Sequence, residues 1–160
     1  MKGRAVLLAV ASAMVLNPAA HGANGADSPH AKPSTELSRE TNIMKIRLTI
    51  NGKAISATLI TNGTAKDFLS LLPMTLTLDD YAATEKIAYL PRKLSTAGAP
   101  AGSDPSVGDI TYYAPWGNLA IFYRNSRYAS GLIPLGRIDS GIEALSVSGP
   151  LKVTIEPVEK

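Results

Sequence analysis

The chain has 160 residues, 45% hydrophobic and 18% charged, with a formal net charge of +3 and no cysteine. That is room for one domain with enough apolar material for a packed core, and too little charge for a disordered chain. The missing cysteines exclude disulfides, thiol nucleophiles, cysteine-bound metals and a lipid-modified N-terminal cysteine.

Lys2 and Arg4 precede an apolar run from Ala5 to Leu16, Asn17-Pro18 breaks the run, and Ala20-His21-Gly22 offers small residues of the kind a signal peptidase reads. Residues 1–22 thus have the layout of a secretory signal. The alternative is a buried N-terminal helix. The run is shorter than the roughly 20 residues a membrane span needs. The expectation is an exported protein, periplasmic or secreted, with no membrane span in the mature chain. Without residues 1–22 the chain keeps 14 basic and 13 acidic side chains. It has no basic stripe of the kind a nucleic-acid binder shows. Residues 23–42 are polar, rich in Ala, Ser, Pro and Asn, and without apolar periodicity; they read as a flexible tether to a domain over residues 43–160.

Within that domain the period is two. Met44, Ile46, Leu48 and Ile50 alternate with Lys45, Arg47 and Thr49, which predicts a strand with one wet face. Asn51-Gly52 is a tight-turn dipeptide, and Ala54 to Ile60 returns as a second strand. Thr64, with Asp67 three residues on, reads as a capping box for a short helix over Ala65 to Leu72, stopped by Pro73. Asn62-Gly63-Thr64 also fits a glycosylation acceptor, the weaker of the two readings.

Met74, Leu76 and Leu78 alternate with threonines as a third strand, and Asp79-Asp80 then reads as a turn or helix start. Lys86 to Leu90 is a further short strand, and residues 95–108 a long Gly/Pro/Ser loop, functional or merely mobile. Asp109 to Ala114 and Asn118 to Arg124 are the most hydrophobic pair, joined through Pro115-Trp116-Gly117. Leu132 to Leu135, a helical turn near Ser140 to Leu145, and Leu151 to Glu156 complete the chain. About eight strands with one or two short helices predict a mainly β fold, a closed barrel or a sandwich.

The order of these elements resembles the cyclophilins. The helix opening Thr64-Ala65-Lys66-Asp67-Phe68-Leu69, the stretch from Leu132 to Leu145 and the closing strand Leu151-Lys152-Val153-Thr154-Ile155 carry the resemblance. It is closer to a group of compact bacterial and archaeal cyclophilin-like proteins, through Glu85 to Pro91, Gly108-Asp109-Ile110 with Tyr112-Tyr113, and Pro115-Trp116-Gly117 leading into Leu119 to Tyr123. The resemblance covers nearly all of residues 44–158. It implies a closed cyclophilin-like β-barrel, and architecture more than activity.

In cyclophilins a prolyl isomerase needs an arginine beside the proline amide, an apolar pocket for the ring and a nearby amide side chain, supplied by a strand of pattern Phe-x-x-x-x-Phe-Met-x-Gln. This chain has no glutamine, only two phenylalanines, Phe68 and Phe122, and Ile87 to Leu94 in the corresponding region. Arg92 is either a displaced equivalent of the family arginine or a solvated charge beside a turn, and no catalytic role passes to it.

The only histidines are His21 and His30, so the domain has no imidazole base, and neither a Ser–His–Asp triad nor a histidine zinc site is expected. Asp104 and Asp109 lack the close oxygen spacing of a calcium loop, and Gly98-Ala99-Pro100-Ala101-Gly102 lacks the helix and lysine of a phosphate loop. No metal or cofactor is expected. Tyr112, Tyr113, Trp116, Tyr123 and Tyr128 cluster in sequence, either as core fillers or as the lining of a groove. The candidate groove is Tyr89, Arg92, Tyr113, Trp116 and Tyr123, for a small ligand or an extended peptide. The leading reading is a non-catalytic binding module; the alternatives are a weak prolyl isomerase and a structural or assembly subunit. Oligomeric state is left open.

Overall fold

A computed structural model describes residues 43–158; the expected signal segment and tether lie outside the described residues. Ten strands follow in chain order: β1 (Met44–Ile50), β2 (Lys53–Leu59), β3 (Met74–Tyr81), β4 (Glu85–Tyr89), β5 (Gly102–Ser103), β6 (Asp109–Tyr113), β7 (Asn118–Phe122), β8 (Ala129–Ser130), β9 (Leu132–Ile138) and β10 (Leu151–Pro157). One helix, α1 (Gly63–Leu69), precedes β3, and a 3-10 turn, Ile142–Leu145, precedes β10. Eight strands close into a barrel in the order β1-β10-β3-β4-β7-β6-β9-β2, while β5 and β8 pair with each other in a separate two-stranded sheet. The expected closed barrel with short helices is the fold.

The hairpin of β1 and β2 shows how local chemistry sets register. Ile50 pairs with Lys53, leaving the two-residue loop Asn51-Gly52. Both loop residues have positive φ, 49° and 78°, as a hairpin turn compatible with strand twist requires. That register sends Ile46, Leu48 and Ile50, with Ile55, Ala57 and Leu59 across from them, into the core. Each fully buried Ile or Leu among them contributes about 1.5–3 kcal/mol.

The expected capping box does not form. Asn62 is the N-cap of α1: its Oδ1 accepts from the Ala65 N–H at 2.6 Å, and its Nδ2 donates to the Pro134 carbonyl at 3.0 Å. Asn outranks Thr as a cap, and here it also ties the helix to β9. Thr64 is buried within the first turn, and Asp67 turns to Arg92 instead. The helix stops at Leu69, earlier than expected. It buries Ala65 and Phe68 in the main core.

The expectation of a turn or helix start at Asp79-Asp80 is also corrected: β3 runs through both to Tyr81, and the chain reverses at Ala82 and Ala83, with φ 50° and 52°. A carboxylate is tolerated in this strand because Asp80 is fully engaged. It takes the Lys86 ammonium at 2.9 Å, the Gly149 N–H at 2.9 Å and the Tyr123 hydroxyl at 2.9 Å.

The Gly/Pro/Ser loop after Leu94 is partly ordered by β5, where Gly102 pairs with Ser130 and Ser103 with Ala129. Glycine is required at 102, because a Cβ there would lie 2.3 Å from the Ala129 carbonyl oxygen. Ser103 Oγ donates to the Leu132 carbonyl at 3.0 Å, fastening this layer to β9. β7, between β4 and β6, is buried along its whole length. Leu119 and Ile121 point into the main core, whereas Ala120 and Phe122 form a second cluster with Leu132, flanked by Ile87, Tyr113 and Ala129. That second cluster underlies the candidate site.

Candidate functional site

β4 lies between β3 and β7, and β7 between β4 and β6. Residues directly opposite in antiparallel strands share a face. Tyr81 pairs with Glu85 and Glu85 with Phe122, which puts three side chains in one row on the outer wall. Ile87 and Ala120 form the next row, and Tyr89, Asn118 and Tyr113 the row after it. This outer face, with Pro105, Ser126, Arg127, Ala129 and Leu132 from the covering layer, encloses a cleft of about 210 Å³.

Trp116 forms the cleft's aromatic wall. The β6–β7 hairpin turns at Gly117, φ 75°, and the Gly117 N–H donates to the Tyr113 carbonyl at 2.9 Å. The turn carries Trp116 back over the sheet beside two tyrosines, its ring nearly perpendicular to each. Its ring centroid is 5.5 Å from Tyr81 at 88°, and 5.4 Å from Tyr113 at 81°. Both are favourable T-shaped geometries. Trp116 nevertheless stays 46% exposed and Tyr81 42%, so the wall is held in place while open to solvent.

Two side-chain oxygens in the cleft have no hydrogen-bond partner among the described residues. Glu85 Oε2 and Asn118 Oδ1 are both occluded and unpaired among the described residues. Asn118 is 2% exposed, and its Nδ2 is spent on the Leu119 carbonyl at 3.2 Å. Burial pushes the Glu85 carboxyl up from 4.5 to about 7, because a low-dielectric site disfavours the charged form. Unpaired buried oxygens each cost about 1–3 kcal/mol, so this part of the wall stores a demand for donors. Among the described residues no group of three or more His, Asp or Glu side chains is disposed to hold a metal.

The cleft brings together Tyr113 and Trp116 of the sequence-derived groove. Tyr89, Arg92 and Tyr123 are not among its lining residues. Tyr89 stands on the same face, opposite Asn118, and is 65% exposed. Tyr123 is bound through its hydroxyl to Asp80. Arg92 makes a two-pronged pair with Asp67, at 2.6 and 3.0 Å, and a third bond to Ser70 Oγ at 3.1 Å. With the Ser95 N–H as a further donor, this holds the Asp67 carboxyl down to about 2. Arg92 thus clamps the loop after β4 to α1. Tyr112, one residue from Tyr113, points the other way: it is buried in the main core and accepts from the Leu94 N–H at 3.1 Å.

Sequence reasoning missed Tyr81, Glu85, Asn118 and Arg127. One signal was available, and it pointed to Lys86 rather than to Glu85. The two are adjacent charges in a short strand, so one of them must face inward, and that one is Lys86. Another lay in Asn118, a polar residue opening an otherwise apolar run.

The cyclophilin-like family profile matches residues 48–156, most of the barrel described above. The chain belongs to the cyclophilin-like family. Its barrel is similar to the solution structure of a hypothetical protein from Archaeoglobus fulgidus, with a TM-score of 0.54 and 17% identity, covering 76% of this chain and 100% of that one. At that identity the likeness is one of fold. Comparison with curated proteins gives no match. Within this cyclophilin-like chain, no helix among the described residues is long and apolar enough to cross a membrane.

Proposed function

We propose that this cyclophilin-like domain is a non-catalytic binding module, and that the cleft walled by Tyr81, Tyr113 and Trp116 receives its ligand, a small molecule or a side chain of an extended peptide. The observation that carries this reading is the pair of oxygens, Glu85 Oε2 and Asn118 Oδ1, that lack a partner among the described residues in an aromatic-walled cleft. Apolar walls with a few directed polar groups are the usual composition of a ligand site. Arg92, the one residue with any claim to an isomerase role, is consumed by Asp67 and Ser70, which favours binding over catalysis.

The test is a titration of ¹⁵N-labelled full chain with n-butylammonium, acetyl-Ala-Ala-Ala-amide and acetyl-Ala-Pro-Ala-amide. Saturable shifts centred on Glu85, Tyr113, Trp116 and Asn118 are expected from at least one probe. Shifts confined elsewhere, or none, overturn the proposal. Catalysed isomerisation of the proline probe would overturn its non-catalytic part.

We further propose export, supported by Lys2, Arg4 and the apolar run ended by Asn17-Pro18. Residues 1–22 fused to a reporter active only outside the cytoplasm should give activity; an inactive, uncleaved fusion contradicts it.

A further inference from the structure

The Glu85 end of the cleft differs chemically from the rest. Glu85 is flanked across the strands by Tyr81 and Phe122, with the Trp116 ring packed at right angles to that of Tyr81. Its carboxyl is part-buried, and Oε2 has no donor among the described residues. A carboxylate removed from water is costly unless a positive group joins it. Tyrosine and tryptophan rings attract cations through the negative potential of their faces. Carboxylate and rings therefore select the same sign of charge.

The kind of cation follows from what surrounds it. A divalent metal needs several oxygen ligands, and no such group exists among the described residues. A quaternary ammonium would satisfy the rings but has no N–H for the carboxylate. A primary ammonium satisfies both: its N–H groups make charge-assisted bonds to carboxylate oxygens, and an alkyl stem fits the Ile87 and Phe122 surface that floors the cleft. Arg127 also lines the cleft but is an exposed side chain, and solvent and salt screen its charge.

Resting on the cleft being a ligand site, we infer that its Glu85 end is a subsite for a primary ammonium on an alkyl stem, held between the Glu85 carboxylate and the rings of Tyr81 and Trp116. A free alkylamine and the lysine side chain of an extended peptide both present this group.

Trp116 is the only tryptophan, so its emission reports directly on the site. The full chain at pH 8 is titrated with n-butylammonium, with 1-butanol as its uncharged counterpart, and with acetyl-Gly-Lys-Gly-amide. Saturable emission changes with n-butylammonium are expected, with 1-butanol binding at least about tenfold more weakly. Glu85→Gln, which keeps the shape of the side chain, should weaken the ammonium about tenfold, in line with loss of a charged hydrogen bond. Tyr81→Leu should weaken it about threefold, in line with an exposed cation–π contact; it tests the subsite without touching the carboxyl. Circular dichroism checks that each variant is folded. Tighter binding of the lysine peptide than of n-butylammonium identifies a peptide source, and the reverse identifies a free amine. Equal binding of 1-butanol and n-butylammonium, or unchanged affinity in both folded variants, overturns the inference. If acetyl-Ala-Pro-Ala-amide alters Trp116 emission while the ammonium does not, the cleft stands as a site and only the cation subsite falls. If no probe alters it, both fall together.

Discussion

Glu85 and Lys86 are neighbours in β4 and face opposite sides of the barrel wall. Lys86 is fully buried: its ammonium lies 2.9 Å from Asp80 Oδ2 and donates to the Val147 and Gly149 carbonyls at 2.7 and 2.8 Å. Glu85 lines the outer cleft, with Oε2 unpaired among the described residues. One strand thus carries a satisfied buried charge on one face and an unsatisfied carboxyl on the other. The first holds the barrel to the loop before β10, and the second is the group that the proposed ligand would meet.

Lys86→Met should therefore destabilise the barrel without altering the cleft directly. The substitution leaves the Val147 and Gly149 carbonyls without their donor, and unpaired buried groups cost about 1–3 kcal/mol. Urea unfolding should show a loss of about 2–4 kcal/mol with an unchanged slope. A variant as stable as the wild type would show that these bonds are replaced by water at no cost.

Stability should fall as pH rises through neutrality, and Glu85 is the cause. Its carboxyl is raised from 4.5 to about 7 by burial, so the folded state holds this proton more tightly than the unfolded chain does. The contribution is complete below pH 4.5 and is lost as pH rises through about 7. The full shift would correspond to about 3 kcal/mol; solvent screening of a part-exposed group brings the expected loss to about 1–2 kcal/mol. Asp67, held down to about 2, acts in the opposite sense, its contribution being lost as pH falls from about 4 toward 2. Asp80 and Asp139, also lowered by their hydrogen bonds to Lys86 and to Thr58 and Lys45, act with it. Denaturation curves should show greatest stability near pH 5, and Glu85→Gln should flatten the alkaline limb alone.

Arg92→Ala should release Asp67. The Arg92 guanidinium is the main reason that the Asp67 carboxyl sits near 2, so its titration, followed by carboxyl carbon shifts, should move up toward 3.8. Probe binding at Trp116 should be unchanged, because Arg92 is not part of the cleft lining. Loss of binding in a folded Arg92→Ala protein would restore the arginine to the site.

The barrel was legible because period-two alternation and turn dipeptides are local signals. Ile46, Leu48 and Ile50, then Asn51-Gly52, announce a hairpin without any knowledge of the rest of the chain. Trp116 was legible too, since Pro115 and Gly117 mark its turn. Glu85 was not: its importance depends on the β3–β4 and β4–β7 registers, which place Tyr81 and Phe122 on either side of it. The same holds for Asp80, whose adjacent carboxylates suggest a turn until Lys86, Gly149 and Tyr123 are seen to converge on it. Arg92 was legible only as two open readings, a displaced family arginine or a solvated charge beside a turn. Its bonds to Asp67 and Ser70 depend on how α1 packs against the loop after β4, which no local pattern announces.

The most direct test of the cleft as the ligand site compares Trp116 emission in the wild type with that in Tyr81→Leu/Tyr113→Leu, both titrated with n-butylammonium and acetyl-Ala-Pro-Ala-amide. The wild type should respond saturably to at least one probe, and the double variant, folded by circular dichroism, should lose most of that response. Flat titrations of the wild type, or an equal response after both tyrosines are gone, would contradict it.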